Sequence, residues 1–171
     1  MSASKGNQKI EQQLQAPRFE DGKALLIAGL RRDYTPSTMN KIPEQWKSFM
    51  PHMGKVPGQI GRIAYGLCFL NQESNGISYL SGVQVSSSEG LPDELTWATV
   101  PAQKYAVFNH QGHVSTLWQT CDAIENQWFP ASGFEHVRAT ADAPDFFERY
   151  TESFDPNTGM GGIEVWVPIK S

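Results

Sequence analysis

The 171-residue sequence predicts an α+β fold of two strand-helix-strand-strand modules, packed pseudo-symmetrically as antiparallel sheets with two main helices. Two helical stripes stand about 80 residues apart, at Ser37–Met53 and His113–Phe129. Each is preceded by an apolar extended run and followed by two more, and "STM" at 37–39 faces "STL" at 115–117. A third observation is size: three strands and one helix bury too little apolar surface to be stable alone, so the halves must share a core.

The elements follow in order. Residues 1–17 are polar, Gln-rich and without period, and read as a flexible tail ahead of one domain over 18–171, with half-modules at about 18–90 and 91–171. "GKALLIAGLRR" is a short apolar run bounded by charge, a strand. In "STMNKIPEQWKSFMPHM", Met39, Ile42, Trp46, Phe49, Met50 and Met53 recur every three or four residues, the mark of an amphipathic helix in which Pro43 either lies in the first turn or bends the axis. "RIAYGLCFL" and "ISYLSGVQVSS" flank the turn "NQESNG" as two strands. "ELTWATVPAQKYAVFNHQG" is extended and interrupted at Pro101. "HVSTLWQTCDAIENQWF" sets Val114, Leu117, Trp118, Cys121, Ile124, Glu125 and Trp128 on a helical stripe ended by Pro130 and Gly133. "APDFFERYT" and "GGIEVWVPIK" close the second module as strands.

Charge and motifs exclude several functions. The chain carries 14 Lys/Arg against 18 Asp/Glu; the first 50 residues hold eight against five (+3), and the rest six against thirteen (−7). With no basic stripe and a negative field over most of its length, the chain is not expected to bind nucleic acid directly. No apolar run approaches the ~20 residues that cross a bilayer, and the N-terminus lacks a secretory apolar block, so a cytoplasmic protein with no membrane contact is expected. Cys68 and Cys121 sit inside apolar patterns and read as reduced, buried thiols. G-x-G-x-x-G, Walker, G-x-S-x-G and H-E-x-x-H motifs are absent, and neither a cofactor nor a metal is expected. His110 and His113, with Gly112 between them at a helix entry, read as loop and cap residues.

The distinctive stretch is "DFFERYTESFD". On a strand, Phe146, Glu148 and Tyr150 share one face, and an inward Phe146 and Tyr150 carry Glu148 inward with them. A lone carboxylate in an apolar wall costs several kcal/mol unless it is paired, protonated or reached by water. The opposite register would bury Arg149 in place of Tyr150, the poorer choice. A cation entering an aromatic groove between the modules would gain Coulombic and ring contacts together. Glu164, alternating with Trp166 opposite Ile163, Val165 and Val167, has the same form and ranks second.

"YAVFNHQGHVSTLWQTCDAIENQWFPASGFEHV", "FERY" and the terminal "IEVWVPIK", with "AYG" and "YLSGV" at 64–83, resemble the GyrI-like effector-binding domain, the ligand domain of AraC-type and MerR-type multidrug-sensing regulators. The resemblance implies a ligand cleft between the two modules and an acidic residue in it, at Glu148, that meets lipophilic cations. It also implies aromatic lining, for which Trp46, Tyr65, Tyr79, Tyr105, Trp118 and Trp166 are the candidates by position, beside Phe146 and Tyr150. Only about 17 residues precede the first strand, too few for a helix-turn-helix, so a stand-alone sensor or sequestering protein is expected, with a partner protein or weak homodimer left open. One alternative is a hydrolase of cyclopropane-bearing compounds, in which Glu148 works with Tyr65, Tyr79 or Tyr105. Another is a gyrase-type inhibitor acting through the acids Asp142, Asp145, Glu148, Glu152 and Asp155.

Overall fold

The computed structural model describes residues 14–71, 75–137 and 143–170. The expected tail falls mostly on residues outside this set, as does Asp142. Eight strands form one antiparallel sheet: β1 (Arg18–Gly22), β2 (Leu25–Tyr34), β3 (Gln59–Asn71), β4 (Gly76–Val85), β5 (Thr96–Val100), β6 (Gln103–Asn109), β7 (Phe146–Tyr150) and β8 (Ile163–Pro168). Their spatial order is β1-β6-β8-β7-β3-β4-β2-β5. Read outward from the β7–β3 junction, the halves match as β7-β8-β6-β1 and β3-β4-β2-β5. The pseudo-twofold axis therefore passes between β3 and β7. The half-modules are not self-contained, however. β1 leaves the first half to pair with β6, and β5 leaves the second to pair with β2.

That exchange forces the sheet to curl. β1 reaches β2 through Lys23 and Ala24 alone, and β5 reaches β6 through Pro101 and Ala102 alone, yet each pair stands six strands apart in the order. Laid flat, six steps of about 4.8 Å would separate them by about 29 Å. A two-residue connector spans only about 11 Å. The sheet is rolled until its edges approach, and its concave face encloses a core of its own. Ile27, Leu67, Leu80, Val107 and Phe147 are buried there without any helix covering them.

The helices cover the other face. α1 (Ile42–Phe49) lies between single 3-10 turns, with Pro43 in its first turn, where a missing N–H costs nothing. α2 (Leu117–Ala123) widens into a π turn at Ile124–Trp128 before α3 (Phe129–Ser132), which Gly133 ends in the left-handed region. Here the sequence expectation is corrected: Pro130 does not stop the helix. The widened turn ahead of it occupies the position where an α-helical i−4 carbonyl would meet the proline ring. Trp118 is also off the expected stripe, at 66% exposed, because the buried positions of α2 are Leu117, Thr120 and Ala123. Beneath the helices, Phe108, Ile124, Val165 and Val167 pack on one half and Phe49, Val83 and Val85 on the other.

Candidate functional site

Glu148 stands in β7 at the pseudo-twofold junction, paired in register with Gly66 of β3. Strand alternation turns Phe146, Glu148 and Tyr150 toward the helices and Phe147 and Arg149 to the concave side. Tyr79, on β4 opposite Cys68, reaches back across β3 and donates its hydroxyl to Glu148 Oε1 at 2.6 Å. Tyr150 donates to the same oxygen at 2.7 Å. The crossing depends on Gly66, since a Cβ there would lie 2.7 Å from Glu148 Oε1 and 2.7 Å from Tyr79 Cζ, and closer still to the Tyr79 hydroxyl. Trp46 of α1 completes the group: its Nε1 donates to the Tyr79 hydroxyl at 3.0 Å, and its ring stands edge-on to Tyr150 at 5.3 Å.

The carboxylate is thus half satisfied. Both phenols converge on Oε1, and among the described residues no donor meets Oε2 and no cation pairs with the group. Burial pushes the Glu148 carboxyl above its usual range, and the two phenol hydrogen bonds oppose that shift without cancelling it. Burial, reinforced by the charge of Glu148, pushes both Tyr79 and Tyr150 well up, so each remains a donor. Burial and the charge of Glu148 push the neighbouring thiols of Cys68 and Cys121 up as well, which disfavours their thiolate forms.

The residue that seats α1 over this group escaped the sequence reading. Gln45 is fully buried, accepts from the Tyr34 hydroxyl at 2.6 Å, and donates to the carbonyls of Leu30 and Tyr79 and to Ser81 Oγ. Its spacing, three residues after Ile42 and four before Phe49, places it on the buried stripe, a signal passed over because its side chain is polar.

A cavity of about 290 Å3 opens beside the group, lined by Leu70, Trp118, Cys121, Phe146, Val165 and Val167 among others. Phe146 belongs both to this lining and to the cluster holding Tyr79 and Cys68, so it stands between the cavity and the carboxylate. Trp118 forms part of the rim. Of the sequence candidates, Glu148, Trp46, Tyr79, Phe146 and Tyr150 come together, with Trp118 alongside. Tyr65, Tyr105 and Trp166 do not join them, because the cross-strand register puts all three on the concave face with Phe147. Glu164 faces that side as well. It accepts from Arg18, Arg149 and Trp166, and these donors hold its carboxyl below the usual range despite partial burial.

His113 caps the turn entering α2 by accepting from the Ser115 amide, and His110 bonds Thr120 and the His113 carbonyl. Among the described residues no three His, Cys, Asp or Glu side chains gather as metal ligands. Of the proposed acidic surface, Asp145 and Glu148 are both buried, and Asp145 is engaged by the Leu70 amide. No described helix is long and apolar enough to cross a membrane.

A doubled α+β module with a partly satisfied carboxylate among rings, beside an apolar cavity, defines a domain built to hold a small molecule. The chain belongs to the GyrI-like small molecule binding domain family, whose model matches residues 15–170. Over 130 residues it is 29% identical to the transcriptional regulator BrlR of Pseudomonas aeruginosa, covering 75% of this chain and 46% of BrlR, so it spans about half the length of that curated relative. The structure of SAV2435 bound to tetraphenylphosphonium is similar with a TM-score of 0.69 at 21% identity, covering 92% of this chain and 95% of that one. The EcmrR C-terminal domain is similar with a TM-score of 0.63 at 14% identity, covering 92% and 98%. At these identities the two structures establish a shared fold.

Proposed function

We propose that the domain is an effector-binding module for lipophilic cations, with Glu148 as the charge anchor. The observation that carries this reading is the carboxylate's asymmetry: Oε1 holds two phenol hydroxyls, while Oε2, in an apolar ring-lined setting, has no donor among the described residues. A delocalised cation is poorly hydrated and supplies charge and apolar surface together, which an amine or a metal ion does not. Its path runs through the cavity beside Trp118 and past the partly buried Phe146. The tetraphenylphosphonium held by SAV2435 has the same chemistry, and that ion is the natural probe. Such binding suits a sensor or sequestering role in the cytoplasm.

The test is calorimetric titration with tetraphenylphosphonium and with the neutral triphenylphosphine oxide, on the wild type and on Glu148→Gln. A charge separation of about 6 Å at an effective dielectric of about 20 is worth about 3 kcal/mol, or roughly 100-fold in affinity. The substitution should remove that factor for the cation and leave the neutral compound nearly unaffected. Equal loss for both compounds, or for neither, refutes the anchor.

A second reading, hydrolysis of a strained electrophile, is favoured by the contact of a carboxyl of raised affinity for protons with a phenol. It narrows to Tyr79 and Tyr150 as partners, since Tyr65 and Tyr105 lie across the sheet. Catalytic turnover of a cyclopropane-bearing alkylator, abolished in Glu148→Gln, would support it, and stoichiometric protection would count against it.

A further inference from the structure

We propose that the concave face of the sheet holds a second site, independent of Glu148, for a small planar aromatic carboxylate. Where the β1–β2 connector closes the curl, a cavity of about 260 Å3 remains, walled by Leu25, Tyr65, Tyr105, Phe147, Arg149 and Trp166. It lies across the sheet from the carboxylate group. The separation follows from β7 itself, in which neighbouring residues Glu148 and Arg149 project to opposite faces.

The slot is walled by rings in mutual contact, so a flat guest lies against them rather than between them. Phe147 and Trp166 stack at 5.4 Å with 17° between their planes, and Tyr105 stands edge-on to both at 5.4 Å. Tyr65 closes the remaining side, 5.9 Å from Phe147. Tyr65 and Tyr105 are almost wholly buried while Trp166 is only partly so, which leaves part of the Trp166 side chain open to a guest. The volume falls just under the range of about 300–1,000 Å3 typical for drug-sized ligands, so the guest has one ring or two fused rings.

Charge selects the sign. Arg149 is the half-buried charge of the lining, whereas Asp21 and Lys23, both exposed at the rim, offset one another. Arg149 spends Nη1 on Glu164 at 3.0 Å, but Glu164 also accepts from Arg18 at 2.9 Å and from Trp166 Nε1 at 3.0 Å. Arg18 also holds Glu20 at 2.8 Å, so of the two guanidinium groups it is Arg149 whose carboxylate is shared rather than its own. A guanidinium carries five N–H donors in a fork that matches a carboxylate; Glu164 and the Tyr65 hydroxyl engage part of that fork, and the remaining donors of Arg149 can meet a second acid. The two faces thus have opposite preferences: cations on the helical side, anions on the concave side.

The experiment titrates the full chain with indole-3-acetate, and with indole-3-acetamide as the uncharged control, by calorimetry and by two-dimensional NMR. Binding of the acid should weaken about tenfold or more in Arg149→Gln and in Leu25→Trp, which fills the slot, and should persist in Glu148→Gln. Thermal melting of each variant confirms that it is folded; the Leu25→Trp arm decides should Arg149→Gln fail to fold. No binding to the wild type overturns the proposal. So does loss in Glu148→Gln, indifference to both concave-face substitutions, or equal affinity for the acetamide. Because the arms differ, failure here leaves the cation reading standing, and the reverse also holds.

Discussion

Gly66→Ala tests the geometry on which the carboxylate group depends. In a strand interior, replacing glycine by alanine ordinarily stabilises by about 0.5–1 kcal/mol, since glycine loses more backbone freedom on folding. Here the sign should reverse. The new methyl would lie 2.7 Å from Glu148 Oε1 and from Tyr79 Cζ, and closer to the Tyr79 hydroxyl, with β4 and β7 locked in register on either side of β3. Relief requires Tyr79 to leave Glu148. That forfeits a charge-assisted hydrogen bond of about 1.5–3 kcal/mol and adds overpacking of about 1–3 kcal/mol. Set against the backbone gain, a net loss of about 2–5 kcal/mol is expected, lowering Tm by roughly 4–20 °C at about 2–4 °C per kcal/mol. Urea denaturation of the wild type, Gly66→Ala, Tyr79→Phe and the double variant gives the coupling. Removing the hydroxyl removes the closest clash, so Gly66→Ala should cost about 1–2 kcal/mol less in the Tyr79→Phe background. A neutral or stabilising Gly66→Ala, or an equal cost in both backgrounds, refutes the packing of Tyr79 over Gly66 against Glu148.

Further outcomes concern pH, the tether of α1 and the cavity rim. The Glu148 carboxyl lies above its ordinary 4.5 in the folded chain, so the folded state holds that proton more tightly. Its contribution is therefore full below about pH 4.5 and is lost as pH rises through the folded value. Denaturant unfolding across pH 4–8 should show wild-type stability falling relative to Glu148→Gln over that window, while tetraphenylphosphonium affinity rises over the same window in the wild type alone. Gln45→Leu keeps volume but strips partners from the Tyr34 hydroxyl, Ser81 and two carbonyls, and should cost about 2–4 kcal/mol in denaturation midpoint analysis. Trp118→Ala, at an exposed rim position, should shift Tm by less than about 2 °C yet weaken cation binding severalfold by calorimetry; a stability loss like that of Gln45→Leu would place Trp118 in the core instead.

Much of the architecture was readable because its signals are local. The apolar runs of β2, β3 and β4, the alternation along β7 and β8 and the stripe of α1 each declare themselves within a dozen or so residues, and the doubled order of elements follows from them. Gln45 was not readable as a core residue by polarity. Only its four partners, drawn from β2 and β4, make burial of an amide tolerable. The helix past Ala123 was misjudged at Pro130, because a π turn is a local accommodation that carries no compositional mark.

The sequence by itself determined that Glu148 shares a face with Phe146 and Tyr150 and opposes Arg149, because alternation along one strand needs no knowledge of its neighbours. Which aromatic residues meet that carboxylate was decided only in three dimensions. Tyr79 arrives and Tyr65, Tyr105 and Trp166 depart according to the registers that pair Gly66 with Glu148, Cys68 with Tyr79 and Phe147 with Trp166. Those registers, and the curl that gives the concave face its own core, arise from pairing distant segments and from two connectors too short to cross a flat sheet.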